Sequence, residues 1–176
     1  MNHDSYSDAY IKGILDEVKT VAIVGASANN VRPSYFVQKY LLSKGYDVWP
    51  INPGQAGNQI LGQTVYSSLD DLPAVPDVID IFRNSAAAGM IVDQVLASGK
   101  LPKVIWMQLT VRNDEAAEKA EAAGIKVVMN RCPKIEYGRL SGEIGWAGVN
   151  SRTLSSKRPT LKSGFQHRGL LGGKPR

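Results

Sequence analysis

Apolar residues in this chain gather into short runs that end on a glycine or a small polar turn, and between the runs apolar positions recur at helical spacing. The runs are Thr20–Val24, Asp47–Ile51, Val78–Phe82, Val104–Gln108 and Lys126–Met129. Continuous apolar runs of this length predict strands buried on both faces, the habit of a parallel sheet. The intervening segments predict helices. Pro33 suits a first helical turn, Phe36, Val37, Tyr40 and Leu41 follow at helical spacing, and Gly45 stops the helix. Further helices are expected over Ala86–Ala97 and Asp114–Ala123, with an opening helix over Asp4–Val18. The second crossover, INPGQAGNQILGQTVYSSLDDLP, is less regular; it predicts an extended piece at Gln63–Tyr66 and a short helix from Ser67 to Leu72.

Strands alternating with helices imply right-handed crossovers and one class of fold. The expectation is α/β: a single Rossmann-like doubly wound domain with a mainly parallel five-stranded sheet and helices on both faces. Ligands of such sheets bind beyond the C-terminal strand ends, near the point where strand order reverses. The unusual residues of this chain follow its strands: GASANNVRPS, NPG, RNS, LTV and NRCPKIE, in order. SKG and SGK, before the second and fourth strands, are plain turns.

The turn after the first strand is the most informative stretch. Strand, tight turn and helix start place backbone N–H groups and a positive helix end at one spot, which suits a phosphate. A dinucleotide fingerprint needs glycine at three spaced positions, and here these hold Gly25, Ser27 and Asn30. The second strand runs into Pro50, Ile51, Asn52 and Pro53, with no acidic residue for a ribose diol. Both departures count against generic NAD binding. An ordinary βα turn with no ligand would use the same residues.

Composition and charge narrow the class further. The chain has 176 residues and 43% hydrophobic content, enough for one substantial core. Its single cysteine, Cys132, allows no internal disulfide and no multi-thiol metal cluster. No apolar run reaches the roughly 18 residues of a membrane span. MNHDSYSDAY is polar where a secretory signal would be basic and then apolar, so a cytoplasmic location is expected. The net charge of +5 is unevenly spread: residues 1–150 carry all the Asp and Glu and are net negative, whereas residues 151–176 are basic with no acid. The expected organisation is therefore a domain over 1–150 and a Ser/Gly/Pro-rich basic tail over 151–176. The tail suits a draping terminus or a contact with an anionic surface; a nucleic-acid partner is not expected.

VAIVGAS, VWPINPG, VIDIFRNS, VIWMQLTV and VVMNRCPKIE, in this order over about residues 14–150, resemble the small stand-alone CoA-binding proteins. That family is similar in fold to the CoA-binding domain of the succinyl-CoA synthetase alpha subunit. The resemblance implies coenzyme A or an acyl-CoA as ligand. It implies that Gly25, Ala26 and Ser27 receive phosphates with Arg32 and Ser34 beside them, and that Asn52 and Pro53 border the adenosine end. Phe82 and Arg83 would border the ligand cleft and Gln108 the pantetheine arm, although Phe82 also suits the core and Gln108 the loop backbone. Cys132 lies in a segment that reads as a structural turn; packing and thiol exchange with a CoA thiol are its two readings. A homodimer is compatible with the fold, and Trp146 with its neighbours suits a sheet edge or a second subunit.

Synthetase relatives transfer phosphate through a histidine in a second domain, and this chain holds only His3 and His167. No P-loop, metal-binding histidine pair or nucleophile elbow is present in the sequence. The expectation is binding without catalysis. An NAD(P) oxidoreductase, or a regulatory protein acting through its basic tail, are the competing readings.

Overall fold

The computed structural model describes residues 1–142 of the chain. The expected boundary at residue 150, the basic tail, His167 and Trp146 lie outside the described residues. Five strands form one parallel sheet: β1 (Thr20–Val24), β2 (Asp47–Ile51), β5 (Val78–Ile81), β6 (Val104–Met107) and β7 (Lys126–Val128), in the order β2-β1-β5-β6-β7. The register is in step, Val24 opposite Ile51 on one side and Ile81 on the other, so the strands end together. β5 and β6 are buried at every position, which explains why their runs are apolar apart from Asp80.

Strand side chains alternate between two helical layers. Ile23 and Trp106 face the layer of α1 (Asp8–Glu17), α2 (Pro33–Ser43) and α5 (Pro133–Leu140), against Ile11, Val37 and Leu41. Ala22, Ile79 and Ile105 face α3 (Ser85–Ser98) and α4 (Asp114–Ala122), against Val92, Ala117 and Ala120. Trp106, 1% exposed, gains from burial and also satisfies its indole N–H on the Arg131 carbonyl at 2.9 Å. The predicted fold class, sheet and helical layers are all present.

Local departures have local causes. The opening helix starts at Asp8 because the Ser7 hydroxyl caps it, accepting from Tyr10 N–H, and the chain is already extended at Val18. The predicted extended piece at Gln63–Tyr66 is the second arm of a small antiparallel hairpin, β3 (Gln59–Ile60) with β4 (Gln63–Thr64), and Tyr66 then bridges to Ile51. The short helix expected from Ser67 to Leu72 does not form. There the Ser67 and Ser68 hydroxyls both donate to the Asp71 carboxylate, giving the chain local turns in place of a helical ladder. The segment read as a turn at NRCPKIE opens α5, with Pro133 in its first turn.

Candidate functional site

From β1 the chain steps outward to β2 and then returns to place β5 on the opposite side of β1, so strand order reverses between β1 and β5. The crevice beyond their C-terminal ends is built around Gly25. Its φ of +91° disfavours a side chain, and a Cβ there would stand 3.1 Å from the Phe82 carbonyl oxygen and 3.1 Å from Arg83 Cδ. Glycine therefore lets the two loops close on each other. The Gly25 and Ala26 N–H groups both donate to the Ile51 carbonyl, at 3.0 and 3.2 Å. Two of the N–H groups of the turn are therefore turned onto β2 and away from the cleft. Ala28 N–H is also engaged, by Gln55 Oε1 at 3.3 Å, whereas those of Ser27 and Ser34 make no hydrogen bond among the described residues.

Asn52 holds the turn from the side. Its Nδ2 donates to the Ala26 carbonyl at 2.8 Å, and its Oδ1 accepts from Gly54 N–H at 2.9 Å. Pro53 and Gly54 continue as a single turn of tight helix, Pro53–Gln55, which brings Gln55 to Ala28. A proline-rigidified loop thus clasps the Gly25 turn.

A cleft of about 530 Å³ opens here. Of the sequence candidates, Gly25, Ala26, Ser27, Arg32, Ser34, Asn52, Phe82 and Arg83 line it, joined by Asn84, which sequence reasoning did not single out. α2 starts in this cleft with no side-chain cap on Arg32, whereas α3 is closed by Asn84 Oδ1 accepting from Ala87 N–H at 2.8 Å. A second cleft of about 350 Å³ adjoins it, shares Gly25, Asn52 and Arg83, and is walled by apolar Ile51, Pro53, Leu69, Met90 and Ile91. Met90, 68% exposed on α3, was another omission; an isolated methionine on a helix gives no sequence signal. A further cavity, about 250 Å³, lies between residues 69–76 and α3, away from the Gly25 turn.

Charge singles out the first two clefts. Arg112, Arg131 and Arg139 each face a carboxylate, in pairs with Asp4, Glu136 and Asp8 among others. Arg32 and Arg83 are exposed, and their guanidiniums make no ion pair or hydrogen bond among the described residues. Both line the first cleft, and neither cleft is lined by an Asp or Glu. Two guanidiniums without carboxylate partners among the described residues, beside an open helix start, give this cleft the chemistry to hold an anion.

Gln108 lines neither cleft. It is 6% exposed, and its Nε2 donates to both oxygens of Asp80 at 2.9 and 3.0 Å. Asp80 is fully buried in β5, and burial pushes its carboxyl up to about 8. The lone acid inside the apolar run VIDIF was the signal that it needed a partner. Cys132 is buried at the start of α5, and burial raises its thiol above the ordinary range despite nearby backbone N–H groups. That environment favours the packing role over thiolate chemistry. Phe82 is half-buried, packs on the α1/α2/α5 core and still edges the first cleft.

Among the described residues no helix is long and apolar enough to cross a membrane, and no cluster of metal-ligating side chains occurs. The chain is 31% identical over 131 residues to the uncharacterized protein YneT of Bacillus subtilis (strain 168), covering 74% of this chain and 94% of that one. A hypothetical protein from Pyrococcus horikoshii OT3 has a similar structure, with a TM-score of 0.72 and 38% identity over 81% of this chain and 97% of the other. The dinucleotide-forming acetyl-coenzyme A synthetase 1 of Ca. Korarchaeum cryptofilum, in its apo form, shares the fold at 23% identity and a TM-score of 0.53, covering 64% of this chain and 26% of that one. A family model described as a CoA binding domain matches residues 19–138, the span that contains the whole sheet and both clefts, and the chain belongs to that family.

Proposed function

We propose that this protein binds coenzyme A or an acyl-CoA without transforming it. The observation that carries the reading is the pair Arg32 and Arg83, two arginines that have no carboxylate partner among the described residues and line one cleft together. The diphosphate lies against Ser27, Arg32 and the start of α2, where free N–H groups and a guanidinium meet it. The adenine occupies the apolar cleft between Pro53, Leu69 and Met90. The pantetheine arm leaves toward the C-terminal end of β6, where Leu109 is 49% exposed.

An NAD-type reading finds less support. Asn52, at the end of β2, has both polar side-chain atoms engaged within the loop and offers no carboxylate to a ribose diol. The non-catalytic reading is supported by His3, whose ring meets the Tyr6 hydroxyl at 2.9 Å and Glu121 of α4 at 3.3 Å, away from both clefts. Isothermal calorimetry with CoA, ADP and NAD, on protein first freed of carried-over ligand, tests the proposal. CoA binding well above that of NAD, weakened by Arg32→Ala, is the expected result. Absence of CoA binding sinks the reading.

A further inference from the structure

The two arginines of the anion cleft occupy different places, and the difference assigns them different phosphates. Arg32 lines only the larger cleft, beside the open start of α2. Arg83 lines both clefts, and its aliphatic stem lies across Gly25, with Cδ 3.1 Å from the place a Cβ would take. In an adenine nucleotide the ribose joins the base to the diphosphate. With the base in the apolar cleft and the diphosphate in the anion cleft, the ribose sits where the clefts meet, over Gly25, Asn52 and Arg83.

At that junction the side chains do not suit a free ribose diol. A diol is held by a carboxylate that accepts from both hydroxyls, and neither cleft is lined by one. Asn52 is a weaker partner than a carboxylate, because it is uncharged and its Nδ2 already donates to the Ala26 carbonyl at 2.8 Å while its Oδ1 accepts from Gly54 N–H at 2.9 Å. A phosphate on the ribose meets the opposite situation: no carboxylate to repel it, and a guanidinium without an ion-pair partner to bind it through paired hydrogen bonds. We infer that Arg83 is the specificity-determining residue for a ribose phosphate and Arg32 the diphosphate ligand, so that the site selects nucleotides phosphorylated on the ribose. This inference rests on the CoA reading above and refines it.

CoA and dephospho-CoA differ only in that ribose phosphate, and the full-length chain can be titrated with each by calorimetry. The wild-type protein is expected to prefer CoA by roughly tenfold or more, the order of one charge-assisted contact. Arg83→Met keeps the stem over Gly25 and removes the charge; it should abolish the preference by weakening CoA more than dephospho-CoA, and thermal unfolding unchanged from wild type shows that the variant is folded. Arg83→Lys should restore part of the preference. Arg32→Met should weaken both ligands by a similar factor and keep their ratio. Equal wild-type affinity for the two ligands, or a preference that survives Arg83→Met, overturns the assignment and leaves CoA binding standing. Failure of both ligands to bind the wild-type protein overturns the assignment together with the reading on which it rests.

Discussion

Asn52 Nδ2 donates to the carbonyl of Ala26 across 2.8 Å, and this bond ties the end of β2 to the turn that follows β1. The two residues are 26 positions apart, yet they form one unit with Gly54 and Gln55, whose groups complete the clasp. The Gly25 turn is thus shaped by a loop that follows a different strand.

Asn52→Ala should therefore act through position. It removes the donor to Ala26 and the acceptor for Gly54 N–H, at about 1–2 kcal/mol of stability, and should lower CoA affinity while Arg32 and Arg83 are intact. Asn52→Asp loses the donor and adds a negative charge at the cleft junction, so it should weaken CoA more than Ala does. Paired thermal unfolding and calorimetry would check the order; equal CoA affinity in all three proteins would remove the clasp from the binding account.

Gly25→Ala places a Cβ against the Phe82 carbonyl in a backbone conformation that alanine resists. A loss of roughly 2–4 kcal/mol is expected from the combination of positive φ and close contact. Urea unfolding measures it. A loss below about 1 kcal/mol, the size of an ordinary substitution, would mean that the β1 and β5 loops separate easily.

Asp80 gives the fold a pH dependence of defined sign. Its carboxyl is raised from the usual value to about 8 by burial, so the folded state holds a proton that the unfolded chain releases. Its contribution is full below about pH 4, where both states are protonated, and declines as pH rises toward 8. Asp80→Asn keeps an oxygen for Gln108 and has no proton to lose. The variant should flatten the decline between pH 5 and 8 and be the more stable protein at the alkaline end, which denaturant titrations across that range would show. A wild-type profile that rises with pH, or an unchanged profile in the variant, would count against a protonated Asp80.

Cys132 should react slowly with iodoacetamide in the folded protein at neutral pH, because it is 6% exposed and its thiol is held above the ordinary range. Labelling in denaturant should be faster by a factor of about ten or more, the least that burial of this degree implies. Rapid labelling of the native protein would return the thiol to consideration as a reactive group.

Much of this architecture was legible because its strands are buried on both faces. β1 and β2 were bounded by sequence alone, since Gly25 and Asn52 end their apolar runs, whereas Phe82, Gln108 and Met129 continued the apolar or large-residue pattern one position past the ladder. The cleft was legible for a different reason: every candidate from Gly25 to Arg83 follows a strand, and parallel strands in step deliver such residues to one edge. Gln108 follows a strand too, but period-two alternation turns it inward onto Asp80, and no local pattern announces that a buried acid elsewhere will claim it. The Ser67–Leu72 segment misled because its serines bond to Asp71 rather than to the backbone. α5 was missed because it is short and begins in a Cys-Pro step that also reads as a turn.

The N–H groups of Gly25 and Ala26 are already spent on the Ile51 carbonyl. The Gly25 turn is consequently held by the protein's own groups, so association there should have little backbone ordering to wait for. Attraction is left to two water-exposed guanidiniums, whose pull on an anion is screened by salt. Capture of a polyanion by this protein should be fast in dilute buffer and slow progressively with ionic strength.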